Sequence, residues 1–320
     1  MAATIATYAT FLGFLSENYE PIAWAEELIE PARAVDHPRL AALYVWASLC
    51  WMPGRLDESR RYCDAGRLVM GSGPGRVPFG VEGWLGTAYL VLGQPEWWAQ
   101  WCRTQLEYGR DTHTITRASL VFALVTAGSA DEAMVAADGL IEAAEETNNP
   151  HALSFALTAD GFAFRDADPV RALGALRRAL VMAHDSGNRF NESNAAQNLA
   201  HLEAKHGDRA AAFDYFTLAI RHHHDSGCTG ILRGPLAALA AFLDRLGRYE
   251  PAATIAGFAA SPLSLAAYPD INAALAHLRE VLGEKTYESL ARKGEAMTTA
   301  AIATYAYDQI DQARTELEAV

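Results

Sequence analysis

The sequence predicts an all-α chain in which antiparallel helix pairs stack into a right-handed superhelix (a solenoid) closed by C-terminal capping helices. Three observations predict it. The tetrapeptide His184-Asp185-Ser186-Gly187 returns 40 residues later as His224-Asp225-Ser226-Gly227, and each copy closes an amphipathic stretch. Gly54, Gly93, Gly128, Gly207 and Gly247 separate apolar stretches at intervals of 39, 35, 79 and 40 residues, and Asp166-Ala167-Asp168-Pro169 supplies the turn missing from the double interval. Within a unit the apolar spacing is helical: Leu199, Leu202, Phe213, Phe216 and Ile220 recur at three- and four-residue steps, broken at Gly207-Asp208. A period of 35 to 40 residues marks a helical repeat array, whose units cannot bury their apolar faces alone and each touch only their neighbours.

Ruled in these units, the chain is expected to form helix pairs over about 4–34, 38–70, 79–109, 113–147, 150–187, 190–227 and 230–260. Two stretches break the rhythm. Met70 to Gly80 is a Gly/Pro loop, and Ser261 to Asp270, bounded by Pro262 and Pro269, separates an array over 1–260 from a C-terminal piece over 261–320. Terminal units of a solenoid need a more polar outer face, so the last piece is expected to cap the array and to be continuous with it.

Small residues recur where the two helices of a hairpin must approach. Ala200, Ala212 and Ala219 are spaced by twelve and then seven, as are Ala240, Ala252 and Ala259; Val121, Ala133 and Leu140, and Asp160, Ala172 and Ala179, follow with lapses. Small side chains permit the short end of the ~8–10 Å range of interhelical distance. The pattern resembles the tetratricopeptide repeat, with Asn198-Leu199-Ala200, Gly207-Asp208 and Ala212 as its clearest copy.

Composition narrows the function. With 26 basic against 39 acidic residues the net charge is −13, which disfavours a nucleic-acid or anionic-membrane surface. Cys50, Cys63, Cys102 and Cys228 are scattered without metal-ligand spacing, as expected of reduced thiols in a cytoplasmic protein. There is no basic, apolar leader, and the longest nearly apolar run, Leu40 to Met52, is too short to span a bilayer. The sequon Asn191-Glu192-Ser193 carries no meaning without secretion.

A sharper resemblance lies in the last 70 residues. Tyr249-Glu250-Pro251-Ala252-Ala253-Thr254-Ile255-Ala256-Gly257-Phe258-Ala259 is followed by Leu282-Gly283-Glu284-Lys285-Thr286-Tyr287, and Gly294 stands seven residues beyond Tyr287. This is similar to the tail of the helical-repeat region in large bacterial signalling ATPases. In that group an ATPase module precedes the repeats, often behind an adenylate or guanylate cyclase, and some relatives end in a LuxR-type helix-turn-helix. The resemblance implies a sensing or scaffolding arm whose bound state biases the ATPase. No Walker A sequence, cyclase or terminal helix-turn-helix is found here, so the chain is expected to be one region of a longer protein or a stand-alone relic.

No catalytic constellation stands out, and no enzyme activity, cofactor or metal is expected. Met70-Gly71-Ser72-Gly73-Pro74-Gly75-Arg76 lacks the Lys-Ser/Thr of a phosphate loop and reads as an inter-helix connection. His222, His223 and His224 are consecutive and fan out by ~100° each on a helix, so they cannot converge on one ion, although Cys228 or His184 from a neighbouring unit could add a ligand. His201 and His206 are five apart, not the four of a zincin helix. Trp84, Trp97, Trp98 and Trp101 read as core and inter-repeat packing in preference to a ligand cage.

The candidate groove contacts are Asn194, Gln197, His201 and Lys205, one polar stripe on the first helix of a pair, extended by Ser154 and Arg165 and by Asp244 and Arg245. Amides, imidazole and ammonium can bind a protein or peptide partner, or a small polar ligand, on the concave side. An ordinary wet helix face fits the same spacing. The ATPase or cyclase domains of the same polypeptide are the other expected partners.

Overall fold

The computed structural model describes residues 1–71 and 77–318; the centre of the Gly/Pro loop, including most of the stretch weighed as a phosphate cradle, lies outside them. Every regular element among the described residues is helical, and none is long and apolar enough to cross a membrane. All seven expected hairpins are present. They are α1 (Ala2–Leu15) with α2 (Pro21–Ala34), and α3 (Leu40–Ser48) with α4 (Leu56–Met70). In the third, 3-10 turns at Pro78–Gly80 and Glu82–Gly86 and the short α5 (Thr87–Val91) face α6 (Pro95–Glu107). The fourth is α7 (Ile115–Thr126) with the broken pair α8 (Ala130–Ala137) and α9 (Leu140–Glu146); the fifth is α10 (Pro150–Phe164) with α11 (Pro169–Asp185). Next come α12 (Arg189–His206) with α13 (Arg209–Asp225), and α14 (Thr229–Arg245) with α15 (Tyr249–Ala259). The chain closes with α16 (Pro262–Ala267), α17 (Asp270–Leu282), α18 (Glu284–Glu295) and α19 (Thr299–Glu318).

Local chemistry sets the ends of these helices. Asn149, Asp168 and Asp208 cap α10, α11 and α13 by accepting the first free backbone N–H groups, and Pro150 and Pro169 follow the first two as pre-set initial residues. The repeated His-Asp-Ser-Gly is a helix stop. Gly187 and Gly227 have φ of 68° and 70°, a region closed to most side chains. The N–H after each glycine reaches back five residues, Asn188 to the Ala183 carbonyl at 2.8 Å and Cys228 to that of His223 at 2.9 Å.

The small-residue pattern lies in the interior of the hairpins. All twelve residues of the four sets named from the sequence are completely buried. The same spacing holds in hairpins where it was not expected: Gly13, Ala25 and Ala32, and Ala47, Ser59 and Gly66, are buried in the first two. In the third the sizes are exchanged. Trp98 occupies the middle position, and Gly86 opposite it makes room, since a Cβ there would lie 2.7 Å from the indole. Asp160, the charged member, is tolerated because the Arg171 guanidinium clasps it from α11, its Nε 3.1 Å from Oδ2.

The chain divides into two compact units, residues 1–192 and 193–320, with the boundary inside α12. The boundary drawn from the sequence at 260/261 falls within the second unit, because α17, α18 and α19 pack on α13, α14 and α15. The C-terminal motif explains this packing. Where α15 crosses α18, a Cβ on Gly257 would lie 2.1 Å from the Ala291 carbonyl oxygen, and one on Gly294 would lie 1.8 Å from that of Thr254. The two motif glycines let backbone touch backbone. Tyr287, the motif aromatic, is buried beneath the Arg279 guanidinium at 4.4 Å.

In the first unit one expectation fails. Ring contacts join hairpins far apart in sequence: Phe11 lies 5.8 Å from His151, and Phe14 lies 4.1 Å from Phe190. The hairpins do not touch only their neighbours, because the first helices carry aromatic side chains on the facing side and pack them against one another.

Gly294→Ala is expected to force α15 and α18 apart and cost about 1–3 kcal/mol in urea unfolding. Gly174→Ala, where nothing lies within 4 Å of the new methyl, is expected to be neutral or stabilising by up to about 1 kcal/mol.

Candidate functional site

The polar stripe of α12 is placed in the second unit, against the chain's own C-terminal segment. Gln197 and His201 are buried, and the Gln197 amide donates to the Tyr268 hydroxyl. The His201 ring lies 5.3 Å from that of Tyr268, with Nε2 3.9 Å from Asp270, and Lys205 Nζ is 3.5 Å from the same carboxylate. Asn194 is half-buried, and its carbonyl accepts from the Asn198 amide at 2.9 Å. The link between α16 and α17 therefore sits where a groove ligand was expected. Asp244 binds His277 of α17 at 2.9 Å, and exposed Arg245 reaches the Ala204 carbonyl at 3.3 Å.

Ser154 and Arg165 belong to the first unit, and they differ. The Arg165 guanidinium is buried over the Phe162 ring at 4.3 Å, with Nε 3.5 Å from Asp166. Ser154, fully buried on α10, is part of a polar network that the sequence reading missed.

That network centres on His151, at the start of α10. The Asn188 side-chain oxygen accepts the Asn191 backbone N–H at 3.1 Å, which orients its amide nitrogen toward His151 Nδ1 at 2.9 Å. The Asn191 amide nitrogen donates to the His151 carbonyl at 3.1 Å and to Ser154 Oγ at 2.6 Å, and lies 3.3 Å from Nδ1. The Asn188 amide, fixed in this orientation, thus donates to Nδ1, which must accept. In the neutral ring the proton then resides on Nε2, leaving Nε2 a donor.

Around this imidazole the first helices bring their rings together. Phe11, Trp84 and Phe155 contact it at 5.8, 5.9 and 6.2 Å. Trp46 joins through Phe11 at 6.0 Å and Trp84 at 5.9 Å. Phe79 covers Phe11, stacked at a centroid distance of 3.8 Å, with the Tyr8 ring edge-on at 5.1 Å. Phe79 holds this position at φ 71°, a left-handed conformation that costs a bulky residue roughly 1–3 kcal/mol. A sequence signal for this face exists. Phe11, Trp46, Trp84, Phe122, Phe155 and Phe190 recur at intervals of 35, 38, 38, 33 and 35 residues, one ring per hairpin.

The other features are quieter. Trp84 and Trp98 are buried as expected, but Trp97 is 52% exposed and lines an outer groove of about 560 Å³ with Arg67, Tyr89, Trp101 and Tyr108. His223 is buried, His222 Nδ1 lies 3.2 Å from Ser193 Oγ, and His224 pairs with Asp225. Among the described residues no three His, Cys, Asp or Glu side chains are placed to hold a metal ion. All four thiols are buried and outside any disulfide, and burial pushes Cys50 and Cys63 up to about 12. No known protein-family model matches the chain, and no curated protein matches it.

Burial holds His151 down at about 4, with His113 a lesser contributor. The folded ring stays neutral while the unfolded one gains a proton below pH 6.5, so stability is full above that pH and is lost as pH falls from 6.5 towards 4. This one group is expected to withdraw about 3 kcal/mol across the window. Urea unfolding between pH 7 and 4.5 should show a steeper loss for the native chain than for His151→Gln, which cannot titrate.

Proposed function

We propose that this chain is the non-catalytic sensing arm of a bacterial signalling ATPase, built as a right-handed solenoid of tetratricopeptide-like hairpins and working in the cytoplasm. Its output would be an adenylate or guanylate cyclase or a LuxR-type transcriptional domain. The observation that carries the reading is the ring-lined inner face of the first unit, where buried polar atoms of His151, Asn191 and Trp46 have no partner. An interior shaped only for packing satisfies such atoms or replaces them. The motif glycines support the family reading, since Gly257 and Gly294 form one helix crossing. Buried thiols with raised pKa are unsuited to nucleophilic work and fit a reducing compartment.

The mechanism is population shift. A ligand on the inner face favours one arrangement of the hairpins over another, and it can do so only by its differential affinity for the two. Of the two occupants, a small molecule is favoured over a protein, because the facing side of the first unit is lined by closely packed rings, most of them buried, and the polar stripe of α12 is already engaged by Tyr268 and Asp270. A protein partner is favoured only at the outer groove beside exposed Trp97.

Purified chain is expected to turn over neither ATP nor GTP and to form no cyclic nucleotide. Activity that co-purifies with the protein and scales with its concentration would contradict the reading.

A further inference from the structure

We propose that the inner face of the first unit is a binding site for a neutral, flat aromatic molecule bearing a carboxamide or an equivalent donor–acceptor edge. This rests on the sensing function proposed above and names the ligand class for its inner face.

Three buried side-chain atoms in this face lack hydrogen-bond partners: His151 Nε2, Asn191 Oδ1 and Trp46 Nε1. The residues are 7%, 0% and 0% exposed. Their chemistry is fixed by what surrounds them. Nδ1 of His151 accepts from the Asn188 amide, so Nε2 carries a proton to donate. The Asn191 amide nitrogen is committed to the His151 carbonyl and Ser154 Oγ, so its oxygen can only accept. The indole nitrogen of Trp46 is a donor only.

Two donors and one acceptor call for a ligand with a carbonyl oxygen beside an N–H. A primary carboxamide has both: its oxygen has lone pairs for the His151 and Trp46 protons, and its N–H can go to Asn191. Among the described residues the printed contacts of His151 are rings and amides, with His113 the one titratable group that acts on it, so the face favours a neutral ligand. Phe11 and Trp84, which contact both His151 and Trp46, supply faces and edges for an aromatic body. Phe79 is the cover. Its ring is stacked on Phe11 from a left-handed backbone position, so a ligand that displaces it lets the residue return to an ordinary conformation.

The test is isothermal titration of the whole purified chain with benzamide, benzoate and cyclohexanecarboxamide at pH 7. Benzamide should bind saturably. Benzoate, which adds charge, and cyclohexanecarboxamide, which lacks the flat ring, should bind at least about tenfold more weakly. Trp46→Phe keeps the ring but loses the donor, and His151→Gln loses the Nε2 proton; each should weaken benzamide by about tenfold. Phe79→Ala should bind benzamide faster or more tightly. Melting curves identify any variant that fails to fold, and Trp46→Phe, the gentler change, then decides.

Equal binding of all three probes, indifference to both donor variants, or no benzamide binding up to about 10 mM in native protein and Phe79→Ala would overturn the proposal. Such a failure with no nucleotide turnover removes this ligand class alone. Turnover by the chain removes the sensing function itself.

Discussion

The structure depends on how closely the two helices of each hairpin approach. One position on the first helix, the position twelve residues on and a third seven beyond that are buried in every pair; most of the side chains there are small, and where Trp98 is large Gly86 makes room. Close approach leaves little freedom in how a hairpin is rotated about its own axis. Successive first helices of the first unit therefore turn the same side toward one another, and a ring placed once per repeat arrives at a common face.

The two units use that arrangement differently. In the first, the facing sides are aromatic and enclose one imidazole whose tautomer is dictated by two asparagines. In the second, the facing side of α12 is polar and is engaged by Tyr268 and Asp270 from the link between α16 and α17. The hairpin scaffold is shared; what lies against it is set by a few side chains. Gly257 and Gly294 hold the C-terminal helices on the second unit by backbone contact, so the motif that carries the family resemblance also has a mechanical role.

The hairpins were legible because helical periodicity and left-handed glycines are local signals, and His-Asp-Ser-Gly is the clearest of them. The breaks were less so. The division between α8 and α9 depends on Arg117 of α7, whose guanidinium takes the carbonyls of Ala136 and Asp138. The 3-10 turns before α5 are held by indoles, with Trp98 and Trp101 donating to the Gly83 and Glu82 carbonyls at 2.8 Å. Neither dependence is visible in a local window. Of the candidate residues, Gln197, His201 and Lys205 do share a stripe, but its contact with Tyr268 and Asp270 spans some 70 residues, beyond the reach of spacing arguments. His151 is not legible as a centre in a local window, because its partners lie 37 and 40 positions away, about one repeat.

Everything on the inner face turns on His151 being a neutral, proton-donating imidazole among rings. Nitrogen-15 NMR of the histidine side chains reads this directly. At pH 7 the account predicts a neutral His151 with the proton on Nε2 and Nδ1 unprotonated. A ring protonated on Nδ1, or an imidazolium at that pH, would contradict it.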